Sequence, residues 1–373
     1  MRGPMEPPTR MATDPPPDLA TQSWAEQTLA GRPRPAGLDH AAWQLCASHG
    51  VFATLDIGAL HAAGVFEALG KGGADRGLLF ALGAHLFGVM ASFVRHATAA
   101  QRARWECGLR DGRCIAALAV SETASGSSFD QLATIVGAQG DGLVLSGTKA
   151  LITNAPDAHL FLVLARQFPE HGPLGLTMLL VPRDSPGLTV TRLPTGGLPG
   201  APMGEVTFDA CPLPAIATLG RAGAGLRVFA SAMAWERSLL LAGFLGAAER
   251  NLRAAIRALA ERDALRHQAV AHRIAAMHMR LATARHFVHT AAAALDAGRE
   301  DAATAAMAKL AASEAVIACA TDTARLLAGV GWRGVPFDTA AAIADTLGTL
   351  FASGTSEIQL DTIARHVIAS ARR

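Results

Sequence analysis

The sequence predicts an α+β protein with an N-terminal helical domain, a central antiparallel β-domain and a C-terminal four-helix bundle. The chain has 373 residues, of which 50% are hydrophobic and 17% are charged, which is enough apolar material for a large core. Near both ends of the chain, apolar residues recur at the helical spacing. In the middle they form short runs separated by turn residues, a pattern that is typical of strands.

A change in proline content separates residues 1–38 from residues 39–112. Residues 1–38 contain the runs PPTR, DPPPD and GRPRPAG. Proline at this density cannot continue a helix and buries little apolar surface, so the segment is predicted to be a disordered or loosely attached leader. Residues 39–112 have helical patterns punctuated by glycine, which predicts the N-terminal helical domain.

The hydrophobic period changes at residue 113, where the β-domain is predicted to begin, and it changes again after residue 219. The run CIAALAV is typical of a buried strand, and Asp141-Gly142 is a hairpin turn signal. No segment of helix length separates the apolar runs of this region. Parallel strands joined by helices are therefore disfavoured, and the pattern favours antiparallel pairing.

Residues 220–373 return to the helical period. The pattern divides into long segments at 223–263, 265–297, 300–329 and 337–372. Consecutive long helices of this kind favour an up-and-down bundle. The predicted order is therefore helical domain, β-domain and helical bundle.

One residue interrupts the apolar face of the first bundle helix. This face contains Leu226, Phe229, Met233, Glu236, Leu240, Gly243 and Ala247. A carboxylate in such a seam is costly unless it is neutral, paired or used in chemistry. Two interpretations are open, an ion pair with an arginine of a neighbouring element or a general base with a raised pKa. Arg237 is a poor partner within the helix because it points about 100° away from Glu236.

Composition also bears on other classes of protein. The net charge of +2, without a basic stripe, gives no support for nucleic-acid binding. No signal peptide and no membrane-spanning apolar run is predicted. The 5 scattered cysteines lack a CxxC pair and suit reduced thiols, which predicts a cytoplasmic protein. The 13 histidines lack the spacing of a metal site, so no metal is predicted.

Four spaced motifs resemble those of the acyl-CoA dehydrogenase family. They are AVSETASGSSF at 119–129, GTKALITNA at 147–155, MGEVTFDACPLP at 203–214 and FASGTSEIQLDTIARHVI at 351–368. The motifs occur in the family's order, and the resemblance covers about residues 40–370. It implies an FAD-dependent enzyme that oxidises the α,β-bond of an acyl thioester, in which one carboxylate removes the α-proton.

The resemblance implies roles for residues in the first two motifs. Ser121 and Glu122 lie in a loop that faces the flavin, and Ser127 corresponds to a serine that serves the flavin pyrophosphate or the pantetheine arm. Thr153 corresponds to a threonine near flavin N5. Taken alone, such hydroxyls more commonly form turns and helix caps, and only the joint order of the motifs favours the cofactor roles.

The same resemblance implies further contacts. Cofactor contacts are expected at Arg262, Gln268, Thr355 and Glu357, and substrate contacts are expected at Ser127, Arg237, Ser353 and Gly354. The Gly-Thr-Ser turn begins a helix, and the N–H groups of a helix start suit an anionic cofactor. Residues 262–268 stand where the family has a longer loop that touches the FAD of a neighbouring subunit.

The expected base is not in the position that most family members use. In most of them a glutamate precedes the terminal Gly-Thr-Ser turn, whereas this chain has Ser353 there. A minority take the base from the first long bundle helix, just before an arginine, and Glu236-Arg237 matches that position. The resemblance therefore favours Glu236 as the catalytic base, with Glu357 as a weaker rival.

Other departures concern the cofactor and the thioester. Leu151 stands where the family has a tryptophan beside the flavin, and Ala234 stands where relatives have an aspartate that helps to hold CoA. Together with the shortened loop at 262–268, they predict an altered thioester handle, weaker FAD retention, or both.

The first functional hypothesis is the α,β-dehydrogenation of an acyl thioester linked to acyl carrier protein or CoA, with the carrier protein favoured because Ala234 removes a CoA contact. The rival hypothesis is a degenerate, non-catalytic family member that binds a thioester or a partner. The resemblance further implies a homodimer or homotetramer, and an electron-transfer flavoprotein or oxygen as electron acceptor.

Overall fold

The computed structural model describes residues 18–123, 129–332 and 339–372. Helices come first, an eight-stranded sheet follows within the described residues, and helices form the rest of the chain. The N-terminal helices are α1 (Leu19–Thr28), α2 (His40–Ser48), α3 (Thr54–Ile57), α4 (Ala59–Gly72), α5 (Arg76–Gly83), α6 (Ala91–His96) and α7 (Ala99–Arg110). A π-helical turn, Ala84–Met90, joins α5 to α6 without a break.

The prediction of a disordered leader is wrong from Leu19 onward. Asp18 caps α1 by accepting a hydrogen bond of 2.9 Å from the backbone of Thr21. Ala25 is fully buried and faces Gly72 of α4, where an added Cβ would overlap it. The run LATQSWAEQT contains no proline, so it forms a helix between two proline-rich stretches and docks through small side chains. Residues 1–17 lie outside the described residues.

One sheet forms the middle of the chain, in the order β6-β7-β3-β2-β4-β5-β8 with β1 beside β4. Its strands are β1 (Ala116–Ala119), β2 (Ile135–Gln139), β3 (Gly142–Thr153), β4 (Leu160–Arg166), β5 (Leu176–Pro182), β6 (Leu188–Leu193), β7 (Met203–Pro214) and β8 (Thr218–Leu219). Most neighbours are antiparallel, as predicted. The pairing of β1 with β4 is parallel, because the β2–β3 hairpin and its loops take the place of a crossover helix between them.

Strand β4 connects the two main cores of the molecule. Leu160, Leu162 and Leu164 belong to the large core shared with the helices, whereas Phe161 and Val163 belong to the core of the β-domain. A strand that is covered on both faces needs an unbroken apolar run, and the first six residues of β4, LFLVLA, form such a run. The sheet is thereby fixed against the helices that surround the candidate site.

The C-terminal helices are α8 (Gly225–Leu239), α9 (Ala242–Ala260), α10 (Gln268–Asp296), α11 (Ala302–Trp332), α12 (Thr339–Phe351) and α13 (Ser356–Ala371). Two of the four predicted bundle segments are therefore divided. The first is interrupted at Leu240 and Leu241, where neither glycine nor proline marks the break. The last is divided by a turn at Ala352–Thr355, in which Ser353 and Gly354 both have positive φ.

Three helical stretches are long and apolar enough to cross a membrane by length and composition alone. They are Arg76–His96, Gly225–Ala260 and Ala302–Leu327, and 83%, 72% and 56% of their most apolar windows are buried inside the fold. Their apolar side chains are largely used in packing against other elements of the protein.

Candidate active site

Helix α8 presents Glu236 between two elements that are far apart in the sequence. This helix contacts α11, β5 and the π-helical turn Ala84–Met90. One carboxylate oxygen of Glu236, Oε1, accepts a short hydrogen bond from the Ser353 hydroxyl. The other oxygen, Oε2, lies against Gly88 in the π-helical turn, where an added Cβ would overlap it. Glu236 is thus enclosed from two sides and remains partly accessible to solvent.

The surroundings of Glu236 favour its protonated form. Burial raises the pKa of this carboxyl above its usual range, while the hydrogen bond from Ser353 and the charge of Arg237 act in the opposite direction. A carboxylate with a raised pKa binds a proton more strongly than one in water. The site therefore contains a strengthened base in a half-buried position, which suits proton abstraction from carbon.

Among the described residues no arginine of a neighbouring element forms an ion pair with Glu236, and the adjacent Arg237 is directed elsewhere. Its Nε donates instead to the backbone carbonyl of Ser353 at 2.9 Å. Burial lowers the pKa of the guanidinium from its usual value, and the nearby charge of Glu236 opposes that shift. The arginine thus joins α8 to the turn between α12 and α13.

The turn between α12 and α13 is held by side chains from three helices. Besides Arg237, the amide Nε2 of Gln359 donates to the carbonyls of Ser353 at 3.2 Å and of Gly354 at 3.0 Å. The ammonium of Lys309 on α11 donates to the carbonyl of Leu350 at 2.9 Å. Burial lowers the pKa of Lys309 to about 8, with the charge of Arg237 as a smaller cause.

Glu122 lies in the loop that is predicted to face the flavin, but its carboxylate points away from the loop surface. Its side chain is turned inward, where it accepts hydrogen bonds from Lys149 Nζ at 2.8 Å, Thr134 Oγ1 at 2.6 Å and the backbone of Ala133 at 2.7 Å. Burial alone would raise the pKa of Glu122, but the bonds from Lys149, Thr134 and Ala133 outweigh it and the pKa is lowered. In this position the carboxylate anchors the β1–β2 loop to β3, because its oxygens are already occupied by these donors.

Ser121 and Thr153, also predicted from the first two motifs, lie near the C-terminal end of β3. Ser121 is exposed, and its carbonyl accepts from the backbone of Ala150 at 2.9 Å. Thr153 ends β3 and is partly exposed. The next residue, Asn154, is buried and donates to the Ala81 carbonyl at 2.9 Å, which ties the end of β3 to α5. Ser127 lies outside the described residues.

Thr355 and Glu357 form the beginning of α13. Thr355 is the N-cap, and its hydroxyl accepts from the backbone of Ile358 at 3.4 Å. Glu357 is exposed, and a hydrogen bond with the Thr355 side chain is the main cause that holds the pKa of this carboxyl below its usual value. An exposed carboxylate with a lowered pKa is a weaker base than Glu236, so the structure disfavours Glu357 as the rival base.

Arg262 and Gln268 are not brought together with Glu236 in the single chain. Both are exposed and flank the loop after α9, a helix that spans about 28 Å from its beginning near Leu241. Arg262 donates to the Ala258 carbonyl at 2.6 Å, which keeps it at the end of its own helix.

Three residues of the site were not found from the sequence. The sequence does not indicate the role of Gly88. Glycine is needed there because a side chain would overlap Glu236 of another helix. Gln359 belongs to the terminal motif, but nothing in the sequence indicates that its side chain holds the turn. Lys309 could have been found by the reasoning that found Glu236, because it is a single charge in the apolar run AAMAKLAAS.

Two family models match this chain. The model of the acyl-CoA dehydrogenase middle domain matches residues 117–211, and that of the acyl-CoA dehydrogenase C-terminal domain matches residues 223–368. The chain belongs to the acyl-CoA dehydrogenase family. The second match includes both Glu236 and Ser353, so the pair described above lies within the family's C-terminal domain.

Known relatives agree with this family membership. The L-prolyl-[peptidyl-carrier protein] dehydrogenase of Pseudomonas fluorescens is 36% identical over 340 residues, covering 87% of this chain and 89% of the relative. The human mitochondrial short-chain specific acyl-CoA dehydrogenase is 30% identical, covering 82% and 75%. The solved structure of PigA with FAD and proline is 29% identical with a TM-score of 0.88, covering 94% and 96%. The chain is a flavin oxidoreductase that carries out FAD-dependent dehydrogenation of an acyl thioester.

The residues present fit an FAD molecule. The partly exposed hydroxyl of Thr153 and the N-terminal N–H groups of the 16-residue helix α13 are suitable donors for a polar, anionic cofactor. Two acceptor atoms near the same elements, Asn154 Oδ1 and Gln359 Oε1, are buried without a hydrogen-bond partner among the described residues. Unsatisfied buried acceptors are costly in a finished structure, so a ligand that donates to them would stabilise the fold.

Proposed function

We propose that this enzyme oxidises an L-prolyl group carried as a thioester on a peptidyl carrier protein, and that Glu236 removes the α-proton. The observation that carries the role of Glu236 is its half-buried position, with a raised pKa and a carboxylate held between Ser353 and Gly88. The carrier-linked relative supports the substrate, since it is matched at higher identity and over more of its length than the CoA-linked human relative.

The chemistry explains why a strengthened base is needed. The α-proton of a thioester is only weakly acidic, so the base must be held close to it and must bind the proton well. When bound, FAD supplies an acceptor for the hydride that leaves the neighbouring carbon. The residues of this chain hold the carboxylate and enclose it on two sides, and the hydrogen bond from the Ser353 hydroxyl acts in favour of its ionised form.

Ala234 supports a carrier protein over CoA as the thioester handle. It is buried one turn before Ser238 on α8, and it stands where CoA-linked relatives are expected to have an aspartate that helps to hold CoA. A carrier protein presents the same pantetheine arm without the nucleotide end of CoA. Loss of a CoA contact is therefore less costly for a carrier-linked substrate.

Other parts of the proposal concern partners. We expect a homodimer or homotetramer, because α12 and α13 expose apolar side chains: Leu347, Phe351, Leu360, Val367 and Ile368. The electron acceptor is proposed to be an electron-transfer flavoprotein or oxygen, and a comparison of aerobic with anaerobic turnover distinguishes the two.

A cytoplasmic location is proposed from the state of the 5 cysteines, all of which are free and 4 of which are buried.

The test compares thioester handles on one enzyme. FAD-loaded protein is mixed without oxygen with L-prolyl thioester on a peptidyl carrier protein, with L-prolyl-CoA or with butyryl-CoA, and the flavin absorbance is followed. We expect the carrier-linked substrate to bleach the flavin at least about 10-fold faster, since each lost contact of about 1.4 kcal/mol changes a rate tenfold. Equal or faster bleaching by a CoA thioester would overturn the carrier assignment. A protein that takes up no FAD would favour the non-catalytic rival instead.

A further inference from the structure

We propose that Ser353 is a positioning residue that holds the Glu236 carboxylate in its reactive orientation through a hydrogen bond from its hydroxyl. This inference rests on the proposed role of Glu236 as the base. It assigns a function to the position at which most family members have their base and this chain has a serine.

The first support is the two-sided contact with the carboxylate. Ser353 Oγ donates to Oε1, and the backbone at Gly88 lies against Oε2. A glutamate has three rotatable side-chain bonds, and ordering them costs conformational entropy. The hydrogen bond on one side and the wall on the other select one arrangement of the carboxylate, so a substrate would meet a base that is already oriented.

The second support is the backbone of the turn. Ser353 has a φ of 56°, in the left-handed region that is unfavourable for a residue with a Cβ. Glycine would relieve this cost, and the next residue, Gly354, is a glycine with a φ of 96°. A serine that persists in an unfavourable conformation suggests that its side chain is used, because strained residues concentrate at functional sites.

The third support is the set of donors that enforce this conformation. Arg237 and Gln359 bind the Ser353 carbonyl, and Lys309 binds the carbonyl of Leu350 at the end of α12. These donors come from α8, α13 and α11, so the turn is fixed to three helices at once. Arg237 follows Glu236 directly on α8 and binds the carbonyl of Ser353. The same short stretch of helix therefore carries the base and fixes the residue that donates to it.

The charged groups around α8 bind other partners, so the Ser353 hydroxyl is the side-chain donor that acts on Glu236. Arg237 and Lys309 are the cations on the side of the turn, and both are occupied by backbone carbonyls. In the π-helical turn, burial lowers the pKa of His85 to about 4, so this imidazole is neutral above that pH.

Two further helices that pack against α8, α6 and α10, carry arginines that pair with residues other than Glu236. Arg95 on α6 pairs with Glu300, while burial lowers the pKa of the neighbouring His96. On α10, Arg285 pairs with Glu67 and Glu249. None of these pairs includes Glu236.

The test measures the protonation of Glu236 directly. Infrared difference spectra of FAD-loaded protein are recorded across pH, and the carboxyl band of Glu236 is identified by its loss in Glu236→Gln. In Ser353→Ala we expect the midpoint of this band to rise by about 1 pH unit, because a hydrogen bond to the ionised form is lost. The acidic limb of flavin reduction should move to higher pH by the same amount, and the rate at neutral pH should fall about 10-fold.

Two further variants separate the hydroxyl from the backbone. Ser353→Gly also lacks the hydroxyl but removes the strain of a positive φ, so it should shift the midpoint as Ser353→Ala does while folding at least as well. Ser238→Ala is the matched control, since its hydroxyl is on the same helix and donates to the Ala234 carbonyl. We expect no shift of the midpoint in this control.

The outcomes are distinct from those of the substrate test. An unchanged midpoint in both Ser353 variants, or an equal shift in Ser238→Ala, would overturn the positioning role even if prolyl thioester is turned over. A wild-type enzyme that fails to bleach with prolyl thioester would refute the proposed substrate, while the infrared midpoints would still report on the contact between Ser353 and Glu236.

Discussion

The hydroxyl of Ser353 donates a hydrogen bond to the carboxylate of Glu236, which precedes it by 117 positions. The family resemblance treats these two positions as alternative places for one catalytic carboxylate. Their contact in a single structure means that α8 and the α12–α13 turn converge on one point. If Glu236 is the base, we expect a carboxylate on either element to reach the same substrate atom.

Replacement of Glu236 by glutamine should preserve the fold and the flavin while slowing anaerobic flavin reduction by about 10²–10⁴-fold, the usual cost of losing a general base. The amide keeps the shape of the side chain but cannot accept the α-proton. The measurement is stopped-flow bleaching with the acyl thioester that wild type prefers. Bleaching at the wild-type rate would mean that the base is another residue, and Glu357 would be the next to test.

The same variant should change how stability depends on pH. The pKa of Glu236 is raised in the folded state, so its contribution to stability is present below the pKa of the unfolded chain and is lost as pH rises through the folded pKa. Glutamine does not titrate. We therefore expect the Tm of Glu236→Gln relative to wild type to increase between pH 5 and pH 8 by thermal unfolding. A constant difference across this range would argue against a raised pKa.

Moving the carboxylate to the other element should restore part of the activity. In the Glu236→Gln background, Ser353→Glu places a carboxylate on the α12–α13 turn, and we expect about a 10-fold recovery of flavin reduction relative to Glu236→Gln alone, out of the 10²–10⁴-fold loss. Full recovery is not expected, because a larger side chain must adopt the positive φ at this position. Ser353→Gln in the same background is the control of equal size, and recovery by this variant would contradict the explanation.

The sequence predicted those features that follow from local pattern. Helix, strand and helix regions follow from periodicity, and Glu236 was identified because one carboxylate interrupts an apolar helical face. Its proximity to Ser353 was expected only through the family resemblance. No local pattern could predict it, since it depends on how α8 and α13 meet.

Other features could not be predicted because they depend on contacts between distant elements. The inward orientation of Glu122 is set by Lys149, which is 27 positions later on β3. The docking of α1 depends on small residues of α4 that fit Ala25. The parallel pairing of β1 with β4 is a matter of topology, which the short spacing of apolar runs does not determine.

The buried pair of Glu122 and Lys149 should be important for stability. Lys149→Met leaves the Glu122 carboxylate buried without its cation, and removal of one partner of a buried pair commonly costs about 3–5 kcal/mol. Urea unfolding measures this loss. Lys149→Met combined with Glu122→Gln should recover part of it, and a double variant as unstable as the single one would contradict a charge effect.

The pH dependence of this pair has a defined sign. The pKa of Glu122 is lowered in the folded state, so the stability that it contributes is present above the pKa of the unfolded chain and is lost as pH falls through the folded pKa. Wild type should therefore lose more stability than the double variant on acidification below about pH 4, near the reference pKa of a glutamate. Equal acid sensitivity of the two proteins would mean that other carboxylates determine it.

The absence of a side chain at Gly88 should be important for the position of the Glu236 carboxylate. A Cβ at this position would overlap Glu236 Oε2, and the π-helical turn around it is buried on nearly all sides, so the backbone has little room to move. We expect Gly88→Ala to displace the carboxylate and slow flavin reduction by about 10²-fold, the effect of a misplacement of about 1 Å. Because the overlapped atom is the end of a flexible side chain, the loss of folding stability should be at the low end for overpacking, about 1 kcal/mol.

A double-mutant cycle isolates the cause of this effect. In a Glu236→Ala background the carboxylate is absent, so adding Gly88→Ala should cost little further stability, and the two substitutions should be strongly non-additive in urea unfolding. Ser92→Ala is a suitable control in the next helical turn, because its hydroxyl donates to the Val89 carbonyl within the same segment. It should behave additively with Glu236→Ala. If Gly88→Ala is equally destabilising with and without the Glu236 carboxylate, then its effect comes from the helix itself, and the wall that Gly88 provides is not what orients the base.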